Sequence, residues 1–145
     1  MTVKFTPSAI PDVIVIEPAV HGDPRGTFFE SYQKELFARN GIRAEFVQDN
    51  QSSSSKGVLR GLHYQVAPKA QAKLVRVIQG IAFDVAVDLR KNSKTFGKCV
   101  TEILSAENKK MVYIPEGFAH GFCALSANTE FLYKVSDVYS PSHER

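Results

Sequence analysis

Several features that would narrow the class of this chain at once are missing from it. There are only two cysteines, Cys99 and Cys123. They lie in separate apolar stretches without CxxC spacing, so neither a disulfide framework nor a cysteine zinc site is indicated, and both read as buried free thiols. No apolar run approaches the length of a membrane span, and Met1 to Pro7 lacks the basic-then-apolar layout of a signal peptide. An excess of one charge is missing too. Eighteen basic residues against 15 acidic leave a net charge of +3, which gives no message for nucleic acid or a membrane surface and still suits an anionic small molecule. A soluble, cytoplasmic protein is the resulting expectation. No internal repeat or linker is visible, and 145 residues with 43% hydrophobic content suffice for one domain, 1–145, but not for two.

What is present is a succession of short apolar and β-branched segments separated by Gly, Pro, Asn and Ser clusters, the pattern of an all-β chain of antiparallel strands. The spacing predicts strands at Val13–Glu17, Thr27–Tyr32, Glu45–Asn50, Val58–Gln65, Lys73–Gln79, Ile81–Asp88, Lys98–Leu104, Met111–Ile114, Gly117–Leu125 and Thr129–Tyr139. Ten segments in one small domain predict a sandwich or barrel. Gln79-Gly80, Ser105–Asn108 and Ser126–Asn128 read as turns short enough to join neighbouring antiparallel strands. Only Gln33–Arg39 reads as helical, with Asn40-Gly41 as its stop. The serine-rich stretch Gln51–Lys56 reads as a surface loop.

Polar groups that strand periodicity does not explain fall in four places: Gly22–Gly26 with Glu30, Gln48–Asn50, Leu59–Tyr64 and Pro115–Gly121. Alternation places Asp84, Ala86 and Asp88 on one face of a strand and Phe83, Val85 and Val87 on the other, which is expected to be the packed face. Lys73 shares a face with Val75 and Val77, and is either functional or a solvated strand-end lysine. Alternation also sends Arg60 and His63 to opposite faces, unless Gly61 supplies a bulge that brings them together. The pattern Pro115-x-Gly117-x-x-His120 resembles the second half of the cupin metal signature. Its first half, two histidines one residue apart and then an acidic ligand, is absent, since Tyr64 and Gln65 follow His63; no bound metal is expected.

Taken together the motifs resemble the dTDP-4-dehydrorhamnose 3,5-epimerase family. The resemblance runs through Ile10–Val13, Gly22–Gly26, Val47–Asn50, Gly57–His63, Lys73–Val75, Phe83–Asp88, Thr95–Gly97, Leu104–Asn108, Ile114–Phe122 and Phe131–Lys134, and their order and spacing make it specific. It implies a cupin-like jelly-roll barrel of antiparallel strands with a short helix. It also implies cofactor-independent epimerisation at C3 and C5 of dTDP-4-dehydro-6-deoxy-D-glucose, giving dTDP-4-dehydro-L-rhamnose in dTDP-L-rhamnose biosynthesis.

By the same resemblance His63 matches the catalytic base and Tyr133 the acid on the other face of the sugar. Arg60 and Lys73 match groups near the 4-keto oxygen, and His120 another residue of the sugar pocket. Gln48 and Asn50 match nucleotide-binding positions, and Glu144 a further substrate contact. Arg25 and Glu30 match residues that reach into a neighbour's site, which implies a homodimer whose N-terminal strand adds to the partner's sheet. The chemistry is consistent with these roles. A C–H beside a ketone becomes removable when fixed cations stabilise the enolate oxygen, and loss of one such group costs about 100- to 1,000-fold in rate. Inversion needs a base and an acid on opposite faces; an imidazole accepts a proton near neutral pH, and a phenol keeps one to give.

The resemblance stops at Arg145, whereas family members continue for some tens of residues in a tail that supplies the aspartate orienting the catalytic histidine. The expectation is a chain lacking that tail, with its fold kept and turnover impaired. Asp84 could substitute as the orienting carboxylate, but is more simply the partner of His120. Other readings are a 3-epimerase, 5-epimerase or keto-sugar isomerase acting on another nucleotide deoxysugar, and a protein that binds the nucleotide sugar without normal turnover.

Overall fold

Apolar side chains at every second position need a sheet with a dry face, and the described residues form twelve strands that provide two. A computed structural model describes residues 2–145. Its strands are β1 (Lys4–Pro7), β2 (Ile14–Glu17), β3 (His21–Asp23), β4 (Gly26–Phe28), β5 (Gln48–Ser54), β6 (Leu59–His63), β7 (Lys73–Gln79), β8 (Ile81–Asp88), β9 (Cys99–Ser105), β10 (Met111–Ile114), β11 (Phe118–Ala124) and β12 (Thr129–Val135). One helix, α1 (Lys34–Arg39), lies between β4 and β5. Six strands pair in the order β1-β2-β10-β7-β12-β5 and four in the order β6-β11-β8-β9, while β3 and β4 form a separate hairpin. All pairings are antiparallel, as the cupin-like jelly roll requires.

The two sheets face each other across a core to which Val75, Val77, Val112 and Phe131 contribute from one and Ala82, Ala86, Leu104, Phe118 and Phe122 from the other. Phe122 and Phe131 stack at 4.0 Å between centroids. The larger sheet is dry on its outer face as well. There Ile14, Ile16, Leu74, Met111 and Tyr113 pack with Phe37 of α1 and with Ile42, which explains why β7 is buried on both faces from Lys73 to Val75. Gln33 caps α1, its side chain accepting from the Leu36 N–H at 2.6 Å.

The three short turns do not join paired neighbours. Gln79-Gly80, Ser105–Asn108 and Ser126–Asn128 each carry the chain from one sheet to the other, since β7, β10 and β12 belong to the larger sheet and β8, β9 and β11 to the smaller. Each turn closes the end of the sandwich. The expected loop Gln51–Lys56 is also corrected, because Gln51–Ser54 completes β5 and pairs with β12 from Ser54↔Thr129 to Gln48↔Val135. Its small polar residues suit an edge strand whose inward side meets a polar cavity. The expected strand Thr27–Tyr32 shrinks to Gly26–Phe28, and Tyr32 instead packs edge-on against Phe37 and Phe46. Both cysteines are free thiols, Cys99 exposed and Cys123 half-buried, so the expected burial fails for Cys99, which begins the edge strand β9, and is met only in part by Cys123.

Candidate active site

The cavity between the sheets opens beside β6, and the local backbone of β6 decides what faces it. In the pairing with β11, His63 lies opposite His120 and Arg60 opposite Phe122, so two residues of β6 span one of β11. This is the expected bulge. Gly61 has φ +115°, and a Cβ on it would come within 2.7 Å of the His120 carbonyl oxygen and of the Gly121 Cα. Only glycine fits there without displacing backbone. The extra residue shifts the alternation by one, and Arg60 and His63 line the same cavity of about 570 Å³.

Tyr133 and Lys73 enter that cavity from the larger sheet, on adjacent strands β12 and β7. His63 belongs to the smaller sheet, so it and Tyr133 reach the space from different sides. Lys73 is buried, with 7% of its surface exposed, and its ammonium lies 5.8 Å from the centre of the Tyr133 ring. Burial lowers its pKa to about 8, against the attraction of Asp84 and Glu144. The solvated reading of Lys73 is thereby excluded.

His120 and Asp84 form a buried pair, Nε2 to Oδ1 at 2.6 Å. Burial pushes the Asp84 carboxyl up, opposed by His120 and Lys73. Asp84 therefore serves His120, and the carboxylate beside His63 is Glu144: its Oε1 stands 3.5 Å from His63 Nδ1. Glu144 also accepts a hydrogen bond from the Tyr139 hydroxyl at 2.8 Å, and the terminal segment is held by a bridge between Gln65 and Glu144.

The β8 face carrying the carboxylates is the buried one, contrary to expectation. Asp84 and Asp88 are 2% and 0% exposed, whereas Phe83 on the opposite face is 40% exposed. Each carboxylate can be inside because it has dedicated partners. Asp88 accepts from Arg90 Nε and Nη2, from the Arg90 N–H, and from Ser93 and Thr95. Arg90 lies in turn over the Phe118 ring.

The structure thus brings Asn50, Arg60, His63, Lys73, His120, Tyr133 and Glu144 around one cavity. Gln48 stands just behind, donating to Asn50 Oδ1 at 2.8 Å and accepting from the Tyr139 N–H. Arg25 and Glu30 are not brought to it. Arg25 lies in the exposed β3–β4 hairpin, paired with Asp23 at 2.6 Å. Sequence reasoning missed Gln65, Gln71, Ser52 and Tyr139, all in the cavity wall. Period-two alternation along β5 from Asn50 would have found Ser52, had Gln51–Ser54 been read as strand; Tyr139 lies beyond the last strand and had no such signal. Among the described residues no group of three or more His, Cys, Asp or Glu is placed to hold a metal ion.

The cavity receives a histidine from one sheet and a phenol from the other, with an ammonium and a guanidinium beside them. That set suits proton exchange at carbons next to a carbonyl. Comparison with known proteins points the same way. A family model described as dTDP-4-dehydrorhamnose 3,5-epimerase matches residues 7–145. A Shigella flexneri protein named dTDP-4-dehydrorhamnose 3,5-epimerase is 60% identical over 137 residues, 94% of this chain and 76% of its own length. A Pseudomonas aeruginosa protein of the same name is 59% identical, with 98% and 78% covered. The solved dTDP-6-deoxy-D-glucose-3,5-epimerase of Legionella pneumophila, in complex with dTDP-4-keto-L-rhamnose, superimposes with a TM-score of 0.95 at 51% identity, covering 98% of this chain and 76% of that one.

Proposed function

The chain belongs to the dTDP-4-dehydrorhamnose 3,5-epimerase family, and from that membership we propose how its cavity inverts C3 and C5 of dTDP-4-dehydro-6-deoxy-D-glucose to give dTDP-4-dehydro-L-rhamnose in dTDP-L-rhamnose biosynthesis. The observation that carries the assignment of roles is the position of His63 and Tyr133 on different sheets around one cavity.

His63 takes the proton from the carbon next to the ketone. Its Nδ1 faces Glu144, which favours the tautomer with a proton on Nδ1 and the Nε2 lone pair free. The electron pair of the broken C–H bond moves into the adjacent C–C bond, and the carbonyl pair moves onto oxygen. Lys73 and Arg60 stabilise that enolate oxygen, Lys73 from a site dry enough to make a cation effective. Tyr133 then donates its hydroxyl proton to the opposite face of the same carbon, and solvent resets both residues. The second carbon is inverted by the same exchange. The substrate's own ketone is the electron sink, so the scheme calls for no cofactor. His120, held by Asp84, and Asn50 with Gln48 bind the sugar and nucleotide portions.

The protein works as a homodimer, in which Arg25 and Glu30 serve the partner's cavity; support comes from the exposed β3–β4 hairpin, with Phe28 74% exposed, and from the outer edge of β1, which pairs with β2 alone. It resides in the cytoplasm, which suits two free thiols; nucleic acid and membranes are not its partners.

The test is solvent deuterium incorporation into dTDP-4-dehydro-6-deoxy-D-glucose, followed by NMR, with His63→Ala as control. Exchange at C3 and C5, abolished in the control, is expected. Exchange at one carbon would replace the reading with a narrower epimerase; intact binding with no exchange would replace it with a nucleotide-sugar binder.

A further inference from the structure

We infer that Ser54 is a positioning residue for Arg60, an inference that rests on the role given to Arg60 above. β5 and β6 follow each other in the chain but are edge strands of different sheets, so the sandwich is open between them and the cavity lies at that opening. Arg60 spans the gap. Its backbone belongs to β6, yet its Nε donates to Ser54 Oγ at 3.0 Å and its Nη2 to the Ser53 carbonyl at 3.2 Å, both on β5.

The geometry explains why an otherwise exposed arginine would hold one direction. A guanidinium carries five N–H donors in a rigid plane. Two contacts along one edge of that plane fix its rotation and leave the donors of the other edge for an oxygen in the cavity. Pre-setting a donor in this way spares its reorganisation when charge develops on the substrate. Ser54 is itself fixed, being 7% exposed and in register with the fully buried Thr129 on β12. The inward row of β5 also separates the roles: Gln48 and Asn50 bond to each other, Ser52 Oγ has no hydrogen-bond partner among the described residues, and Ser54 alone of the four takes Arg60. Alanine at position 54 would leave the Ser53 carbonyl as a single contact, about which the guanidinium can swing.

The experiment combines a direct view of the clasp with a double-mutant cycle. In the ligand-free protein, the Arg60 Nε–H resonance should exchange slowly with water and lose that protection in Ser54→Ala while Ser54→Thr keeps it. With substrate, Ser54→Ala should lower deuterium incorporation at C3 and C5 by the same factor, about 10-fold, with the affinity for dTDP unchanged; Ser54→Thr should recover most of it. In an Arg60→Ala background Ser54→Ala should have no further effect. An unprotected Nε–H in the unsubstituted protein would overturn the inference, as would a Ser54→Ala effect that persists at full size without Arg60. Absence of exchange by the unsubstituted protein would instead refute the epimerase reading, and the resonance would still decide the clasp.

Discussion

Oε1 of Glu144 stands 3.5 Å from Nδ1 of His63, while Oε2 of the same carboxylate accepts the Tyr139 hydroxyl at 2.8 Å. The hydrogen bond holds the proton on Tyr139, whose pKa it raises, and keeps Glu144 turned toward the histidine. A carboxylate there orients the imidazole for proton transfer, and because both side chains are partly solvated the effect is a limited one. Glu144→Gln should lower deuterium incorporation roughly 10-fold, less than the 100-fold or more typical of removing a general base outright. Equal rates in Glu144→Gln and the unsubstituted protein would show that this carboxylate does not assist His63.

Lys73 should make the reaction sensitive to alkaline pH. With its pKa lowered to about 8 by burial, the ammonium loses its proton within the range where enzymes are commonly assayed, and the stabilised enolate loses a cation. Exchange should therefore decline as pH rises through about 8. Lys73→Met should cost about 100- to 1,000-fold at neutral pH, and any activity left in Lys73→Arg should lack the decline. A decline that survives in Lys73→Arg would assign it to another group.

The same shift has a consequence of opposite sign for stability. Between about pH 8 and 10.5 the unfolded chain keeps a proton that folded Lys73 has released, so this residue makes stability rise with pH across that window. The whole rise amounts to on the order of 3 kcal/mol. Urea unfolding of Lys73→Met, compared with the unsubstituted protein at pH 7 and pH 10, should show the variant favoured at the lower pH and the difference shrinking at the higher.

Strand limits were legible because strand chemistry is periodic, whereas Arg60, His63, Lys73 and Tyr133 were marked as site residues by the family resemblance. Ile81–Asp88 alternates cleanly, and it, Lys73–Gln79 and Met111–Ile114 begin and end where the sequence predicts. The Arg60–His63 bulge was readable from Gly61 as the residue able to absorb it. Two things were not legible locally. Which face of β8 is buried depends on partners far along the chain for Asp84 and nearby for Asp88, and hydrophobicity alone favours the wrong face. Whether a two-residue turn makes a hairpin or crosses a sandwich depends on which strands pair, and that is settled by packing between distant segments. β3, with no apolar residue in His21–Asp23, offered no alternation at all.

Gly61 should tolerate no side chain. Alanine would place a methyl 2.7 Å from the His120 oxygen and the Gly121 Cα at a φ of +115°, and the near contact is backbone, which yields less readily than a flexible side chain. Gly61→Ala should lose roughly 3 kcal/mol of stability to combined overpacking and backbone strain. Because the displaced strand carries both Arg60 and His63, exchange should fall by more than the unfolded fraction accounts for. A stable Gly61→Ala protein with normal exchange would show that the bulge is not needed to bring the two residues together.

The β3–β4 hairpin gives the test of the dimer. Arg25 is held out by Asp23 with its side chain 90% exposed, and Phe28 leaves the same hairpin largely uncovered, an arrangement that wastes apolar area unless another molecule covers it. Sedimentation should find a dimer, and Phe28→Asp should shift it toward monomer. Arg25→Ala should leave the dimer intact but weaken substrate affinity. If the site is shared, mixing Arg25→Ala with His63→Ala should restore exchange to about one quarter of normal sites, because only mixed dimers pair an intact Arg25 with an intact His63. This follows from random subunit exchange: half the dimers are mixed, and each has one complete site. Mixed protein no more active than the two variants apart would place Arg25 in its own chain's cavity or outside the reaction altogether.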